Sequence, residues 1–263
     1  MVLTLLFAAI SGLAMTVLFA CCPALSFWWR LPVWLGFYVA SALIYVLLVV
    51  CGLYLFLPKE SPSPRARWIT QALVKLTVRW VLLMLGVRVK VVGADKLPST
   101  PYLLVGNHRS AFDPISSLAA IQQPLVFVAK PGVLQIPVLG PLLGRLCFLA
   151  IDRENARNAV TTIKRAAELI KNAGLCVGIY PEGTRSKDGN LLPFHAGSFK
   201  IAKMAGCPVA VVSVRYKKGG LLPWNKRVYL QVVDVMDEAF VAESNTAAMR
   251  ERAEAMIRED LGL

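Results

Sequence analysis

The sequence predicts an α/β fold: a largely parallel or mixed sheet covered by helices, preceded by an N-terminal transmembrane helical hairpin and a basic amphipathic helix. Three observations predict it. Residues 1–58 carry a single charged side chain, Arg30. From Val87 onward, short β-branched runs alternate with helical patterns, as in sheets covered by helices. Between these regions Ile69, Leu73, Leu76, Trp80 and Leu83 recur at helical spacing. The expected organisation is a hairpin anchor over 1–58, a linker and interfacial helix over 59–86, and the sheet-bearing domain over 87–263.

Within the anchor, residues 2–22 and 33–57 are each long and apolar enough to cross the roughly 30 Å of bilayer hydrocarbon as a helix. The connection between them holds only Arg30, whereas Lys59, Arg65, Arg67, Lys75 and Arg79 follow the second span. Basic residues near membrane ends stay on the cytoplasmic side, so both the N-terminus and everything after about residue 58 are expected in the cytoplasm of a cytoplasmic-membrane protein. Leu18-Phe19-Ala20-Cys21 resembles a lipoprotein cleavage site, but the basic region that opens a signal peptide is absent, which favours a retained hairpin.

Residues 59–66 contain two prolines and read as a linker. In the helix that follows, Lys75 and Arg79 lie one turn apart on a side different from the apolar stripe. Two placements fit this pattern. The helix lies in the membrane interface with its basic side toward headgroups, or it packs on the domain as an ordinary surface helix. Beyond it, the expected strands are 87–92, 102–106, 125–129, 147–151, 175–180, 209–214 and 228–233, and the expected helices are 114–121, 155–171, 198–205 and 246–261.

A formal charge of +13 suits nucleic acid, anionic lipid or an anionic substrate. No nucleic-acid motif accompanies it. Next to a membrane anchor the excess reads as attraction to acidic headgroups, worth about 1 kcal/mol per basic residue near the surface, with part of it a solvated exterior. Cys21, Cys22, Cys51, Cys147, Cys176 and Cys207 form no C-x-x-C pair and no Cys/His cluster. They are expected to be buried reduced thiols, with no disulfide and no metal site.

Two polar motifs follow strand-like runs. In Asn107-His108-Arg109-Ser110-Ala111-Phe112-Asp113, His108 emerges at a strand end, where open α/β sheets bind ligands. A neutral imidazole accepts a proton near neutral pH, and Asp113, five residues on, is spaced to reach its other nitrogen and fix the tautomer. Asp113 also precedes Pro114, an N-cap and N1 pairing that starts helices, and cap and orienter are compatible. Taken alone, His-x4-Asp fits a catalytic base and a satisfied structural histidine equally. The chain lacks a Gly-x-Ser-x-Gly elbow, so direct attack by a substrate hydroxyl is simpler than a covalent intermediate.

The second motif is Tyr180-Pro181-Glu182-Gly183-Thr184-Arg185-Ser186. Gly183 permits a tight backbone, and Arg185 offers a planar fork for phosphate, while Glu182 either orients Arg185 or accepts from a substrate hydroxyl. A plain surface turn fits as well, given Asp188-Gly189 just beyond. Lys130 and Asp152-Arg153, at the ends of two further strands, either complete a phosphate pocket or are solvated strand ends.

Together these segments resemble the glycerolipid acyltransferases of the lysophosphatidate acyltransferase type, over roughly residues 87–215. Residues 107–113 match that family's His-x4-Asp block, which implies His108 as general base and Asp113 as its partner. Lys130, Ile136-Pro137-Val138-Leu139-Gly140 and Ile151-Asp152-Arg153 are similar to its second block. Residues 180–186 match its Pro-Glu-Gly-Thr-Arg block, which implies phosphate recognition by Glu182, Gly183, Thr184 and Arg185, with Lys130 and Arg153 beside them. Two positions depart from the pattern: His195 stands where a Lys usually follows Phe194, and Val211 stands where Pro-Ile-x-Pro has its second proline.

The resemblance implies a membrane-bound O-acyltransferase of phospholipid biosynthesis. It would move a fatty acyl group from acyl-CoA or acyl-ACP, as co-substrate and not bound cofactor, to the free hydroxyl of 1-acylglycerol-3-phosphate. Glycerol 3-phosphate or another lysolipid is the alternative acceptor. A lipid hydrolase and a non-catalytic lipid-binding protein are the rivals from other classes. His195, the only other histidine, is the rival base, and His108 is preferred because it has a carboxylate at fixed local spacing.

Overall fold

The computed structural model describes residues 2–21, 27–56, 64–152, 155–186, 188, 190–218 and 226–263. Linker residues 59–63 and Arg153 lie outside them. The chain forms two units, Met1–Leu57 and Pro58–Leu263.

In the first unit, α1 (Val2–Cys21) and α2 (Arg30–Phe56) are long and apolar enough to cross a membrane. They fit a hairpin. Phe7 of α1 meets Tyr38 and Tyr45 of α2 with ring centroids 6.2 and 5.4 Å apart, and Arg30 sits 5.3 Å over the Phe19 ring near the connection. Ser11, buried in α1, donates back to the Phe7 carbonyl at 2.7 Å, which satisfies its hydroxyl within an apolar helix.

The second unit opens with α3 (Pro64–Met84) and continues through β1 (Val87–Val92), β2 (Leu103–Gly106), α4 (Phe112–Ala120), β3 (Leu125–Ala129), α5 (Pro131–Leu134), α6 (Leu139–Arg145), β4 (Leu149–Ala150), α7 (Ala156–Ala173) and β5 (Cys176–Ile179). It closes with α8 (Lys200–Ala205), β6 (Val209–Lys218), β7 (Lys226–Met236), α9 (Glu238–Glu243) and α10 (Thr246–Leu261). The strands form one seven-stranded sheet in the order β1-β7-β6-β2-β5-β3-β4. Every pairing is parallel except β6 with β7. This is the mixed, helix-covered α/β sheet expected from the sequence.

Burial follows the pleat. Leu103, Val105, Val177 and Ile179 pack under α7, α8 and α10, while Leu104, Phe127 and Cys176 pack under α3 and α4. Because both faces are covered, β2 and β5 are continuous apolar runs without alternation. Helix boundaries obey local signals: Asn155, Asp237 and Asn245 cap α7, α9 and α10 through their side chains, and Gly174 and Gly262 end α7 and α10 in left-handed conformation.

Helix α3 turns polar side chains toward the domain beside the apolar Val74, Val78 and Leu82. Lys75 Nζ donates to the carbonyls of Gln122 and Gln123 at 2.6 and 2.7 Å, Arg79 donates to the Ala119 carbonyl, and Gln71 donates to the Leu125 carbonyl at 3.3 Å. The two basic residues thus satisfy carbonyls at and just beyond the end of α4, which fits the second of the two placements, a helix packed on the domain, with Lys75 buried and Arg79 still exposed. Trp68, Ile69, Leu76 and Leu83 remain exposed on the other side, while Trp80 is buried.

Candidate active site

Strands β2, β5, β3 and β4 lie side by side and parallel, so their carboxyl ends share one edge of the sheet. His108 follows β2, Glu182 follows β5, Lys130 follows β3 and Asp152 follows β4. That edge is where open α/β sheets bind their ligands.

The first motif is fastened before His108 is reached. Asn107 is buried, and its amide donates to the Val214 carbonyl at 3.1 Å while its oxygen accepts from the Val214 N–H at 2.6 Å. One side chain thereby continues the β2–β6 ladder where the backbone of β2 leaves it. Sequence reasoning gave Asn107 no role.

His108 Nδ1 lies 2.8 Å from Asp113 Oδ2, the imidazole 19% exposed and the carboxylate wholly buried. Oδ2 also accepts from the backbone N–H groups of Arg109 and Ser110 at 2.7 and 2.8 Å, and Oδ1 accepts from the Tyr216 hydroxyl. Asp113 therefore bonds backward into the loop. The expectation that it is the N-cap is corrected: α4 begins at Phe112 with Ala111 as N-cap, and Asp113 lies inside the first turn. The contact suggested by the spacing survives this shift, because a carboxylate in the first turn still reaches back to residues 108–110.

A column of rings fixes the other face of the imidazole. His108 stacks on Tyr180 with centroids 4.5 Å apart, and Tyr180 stacks on Phe127 at 5.7 Å and 2° between planes. Phe127 needs the space left by its cross-strand partner Gly178, where an added Cβ would stand 2.2 Å from the ring. The Tyr180 hydroxyl meets Ser117 at 3.4 Å, and burial followed by the nearby Asp113 charge pushes its ionisation well above the ordinary 10. Tyr180 stays a neutral platform.

The second motif is bound to the first by backbone and side chain. Residues 180–183 form a turn closed by Gly183 N–H on the Tyr180 carbonyl at 3.1 Å, and Gly183 has φ +73°, which only glycine adopts without strain. Glu182 is buried. Its Oε1 accepts from the His108 N–H at 2.6 Å and its Oε2 from the Leu192 N–H at 3.1 Å. Burial raises its pKa from 4.5 to about 6, against the opposing pull of those two N–H groups. Neither sequence-based role for Glu182 matches this geometry: the carboxylate is a strut between loops. A second tie runs from the Ser186 N–H to the His108 carbonyl at 2.8 Å.

Thr184 and Arg185 lie exposed on the segment between these two ties, next to the His108 loop. Lys130 is also exposed, at the N-cap of α5. At about 4.8 Å per strand, β3 stands roughly 10 Å from β2, so Lys130 is on the shared edge but outside the hydrogen-bonded unit of the two motifs. Ile136, Val138 and Leu139 of the following segment are exposed, with Val138 at φ +65° and the Leu139 N–H closing on the Pro137 carbonyl at 2.7 Å, a strained γ-turn. His195 is exposed next to the second motif, its backbone N–H on the Pro181 carbonyl at 3.0 Å. Val211 is buried at an irregularity in the β6–β7 pairing.

Residues 88–215 match the family model described as Acyltransferase. They are an acyltransferase-family domain. The acyltransferase domain contains both motifs and the whole of the hydrogen-bonded unit around His108 except for Tyr216, one residue past its end. The chain is 38% identical over 145 residues to the chloroplastic 1-acyl-sn-glycerol-3-phosphate acyltransferase BAT2 of Brassica napus, covering 54% of this chain and 41% of that protein. It is 31% identical over 186 residues to the 1-acyl-sn-glycerol-3-phosphate acyltransferase of Saccharomyces cerevisiae, covering 68% of this chain and 60% of that protein. It therefore spans about half the length of these curated relatives. The crystal structure of the 1-acyl-sn-glycerophosphate (LPA) acyltransferase PlsC from Thermotoga maritima shares the fold, with TM-score 0.65 and 24% identity over 86% of this chain and 91% of that one.

Proposed function

We propose that the protein is a membrane-bound acyltransferase that moves a fatty acyl group from acyl-CoA or acyl-ACP to the free hydroxyl of 1-acylglycerol-3-phosphate, yielding phosphatidic acid. The observation that carries this reading is the tie between the two motifs: Glu182 and Ser186 hold the His108–Asp113 pair beside the segment that bears Arg185. A proton acceptor and an anion-binding side chain then serve one small acceptor molecule. The relatives' names agree with this substrate.

With Nδ1 engaged by Asp113, Nε2 is the nitrogen that meets the substrate. The acceptor hydroxyl attacks the thioester carbonyl carbon as His108 takes its proton, giving a tetrahedral oxyanion and an imidazolium that Asp113 stabilises. Collapse breaks the C–S bond, and the imidazolium returns its proton to the departing thiolate. A positioned base of this kind contributes about 10²–10⁴ in rate. Arg185 grips the acceptor phosphate through its fork, with Thr184, the Gly183 backbone and Lys130 along the same edge, and Arg153 is proposed as a further cation for it.

The hairpin of α1 and α2 suits an anchor that crosses the bilayer, and the basic residues after it suit a cytoplasmic domain. The exposed Trp68, Ile69, Leu76 and Leu83 suit contact between α3 and the interfacial region of the same membrane, where the acceptor resides. A matrix of acyl donors against acceptors, run on the full chain in lipid, tests the proposal. Turnover should require a lysolipid phosphate, and turnover confined to phosphate-free acceptors overturns it.

A further inference from the structure

The Asp113 carboxylate serves four groups. Three come from its own loop, namely His108 Nδ1 and the N–H groups of Arg109 and Ser110, all on Oδ2. The fourth is the Tyr216 hydroxyl on Oδ1, delivered from β6 across 103 residues of chain. Tyr216 packs against the buried cluster of Leu82, Val87, Ala119, Val214, Val228 and Leu230 and faces Val228 across the β6–β7 ladder, so its position is set by the core and not by the loop. Burial, then the Asp113 charge, pushes the ionisation of this phenol far above the ordinary 10, so it remains a donor across the working pH range.

We propose that Tyr216 is a positioning residue for the transfer: its hydroxyl fixes Asp113 and draws charge from the carboxylate, which keeps the His108 ring oriented as a base. The inference rests on the acyltransferase reading of the pair. Without this donor, negative charge concentrates on the carboxylate and holds an imidazolium more firmly, so His108 stays protonated to higher pH. The other groups facing the pair are the Tyr180 ring stacked on the imidazole, Glu182 on the His108 N–H, and Arg109 and the Ser110 hydroxyl near the phenol. All remain in place when only the phenolic oxygen is removed.

The test is Tyr216→Phe in the full chain, assayed in lipid across pH. The expected result is a fall in kcat of about tenfold with both KM values within about twofold, together with a displacement of the acid limb of kcat/KM to higher pH by about half a unit or more. An unchanged kcat with an unchanged acid limb overturns the proposal, as does a change confined to KM. If the variant folds poorly, the same question is put to the imidazole directly. The chain has two histidines, so in a His195→Ala background the His108 ring is the sole imidazole resonance. Its titration midpoint should rise when Tyr216→Phe is added, and an unmoved midpoint sinks the idea. Turnover that survives both His108→Ala and Asp113→Asn defeats the assignment of the pair to the transfer instead, while the His108 titration still judges the role of Tyr216.

Discussion

The Glu182 carboxylate accepts a 2.6 Å hydrogen bond from the backbone N–H of His108, joining two motifs 74 residues apart. An acidic residue in the segment proposed to bind the acceptor phosphate is thereby kept out of that substrate's way, because its charge is spent inside the fold.

Glu182 gives opposite pH signatures in stability and in activity. Its folded pKa of about 6 lies above the ordinary 4.5 because the side chain is buried. Between these values the folded state binds more protons than the unfolded one, so this group's contribution to stability falls as pH rises from 4.5 to 6. The ionised form is nevertheless the one that accepts both N–H groups, so activity should rise over that interval. Thermal melts across pH should show the declining contribution in the wild type and its absence in Glu182→Gln. That variant can accept only one of the two N–H groups and should lose about tenfold or more in kcat.

Gly178→Ala should displace the ring column. Its Cβ would stand 2.2 Å from Phe127, and overpacking of this kind costs about 1–3 kcal/mol. Because Phe127 supports Tyr180, and Tyr180 supports His108, kcat should fall along with the melting temperature. Phe127→Leu in the same chain makes room for the methyl group and should recover part of the lost stability, a non-additivity that a double-mutant cycle measures.

Lys75 places a basic charge where desolvation disfavours it. Burial, and secondarily the Arg79 charge, lower its pKa from 10.5 to about 8. In that window the unfolded state holds more protons than the folded one, so its contribution to stability rises as pH increases from 8 to 10.5. Lys75→Met should abolish this slope. It should also cost roughly 1–3 kcal/mol at neutral pH by leaving the Gln122 and Gln123 carbonyls without their donor, as read from chemical denaturation in detergent.

Arg185→Ala should raise KM for the lysolipid phosphate by about 10-fold to 100-fold with little change in kcat, and Arg185→Lys should recover only part, because an ammonium lacks the planar fork. A fall in kcat with KM constant would assign Arg185 to the transition state and not to acceptor binding.

The sequence by itself determined the strands and the longer helices, but not the short α5, α6 and α9. Apolar runs located the seven strands of the sheet, and the expected helices at 114, 155 and 246 start within about two residues of α4, α7 and α10, because periodicity and capping are local properties. It also determined the His108–Asp113 pairing, since five residues of loop and first helical turn can close that contact unaided. It did not determine what Glu182, Lys75 or Tyr216 touch. Those partners lie 74, 47 and 103 residues away, and no local pattern distinguishes a carboxylate that binds substrate from one that braces a loop. The sheet order decided it: setting β5 and β6 on either side of β2 brings Glu182 to the backbone of His108 and Tyr216 to Asp113, and buried polar groups must find partners among whatever the topology delivers.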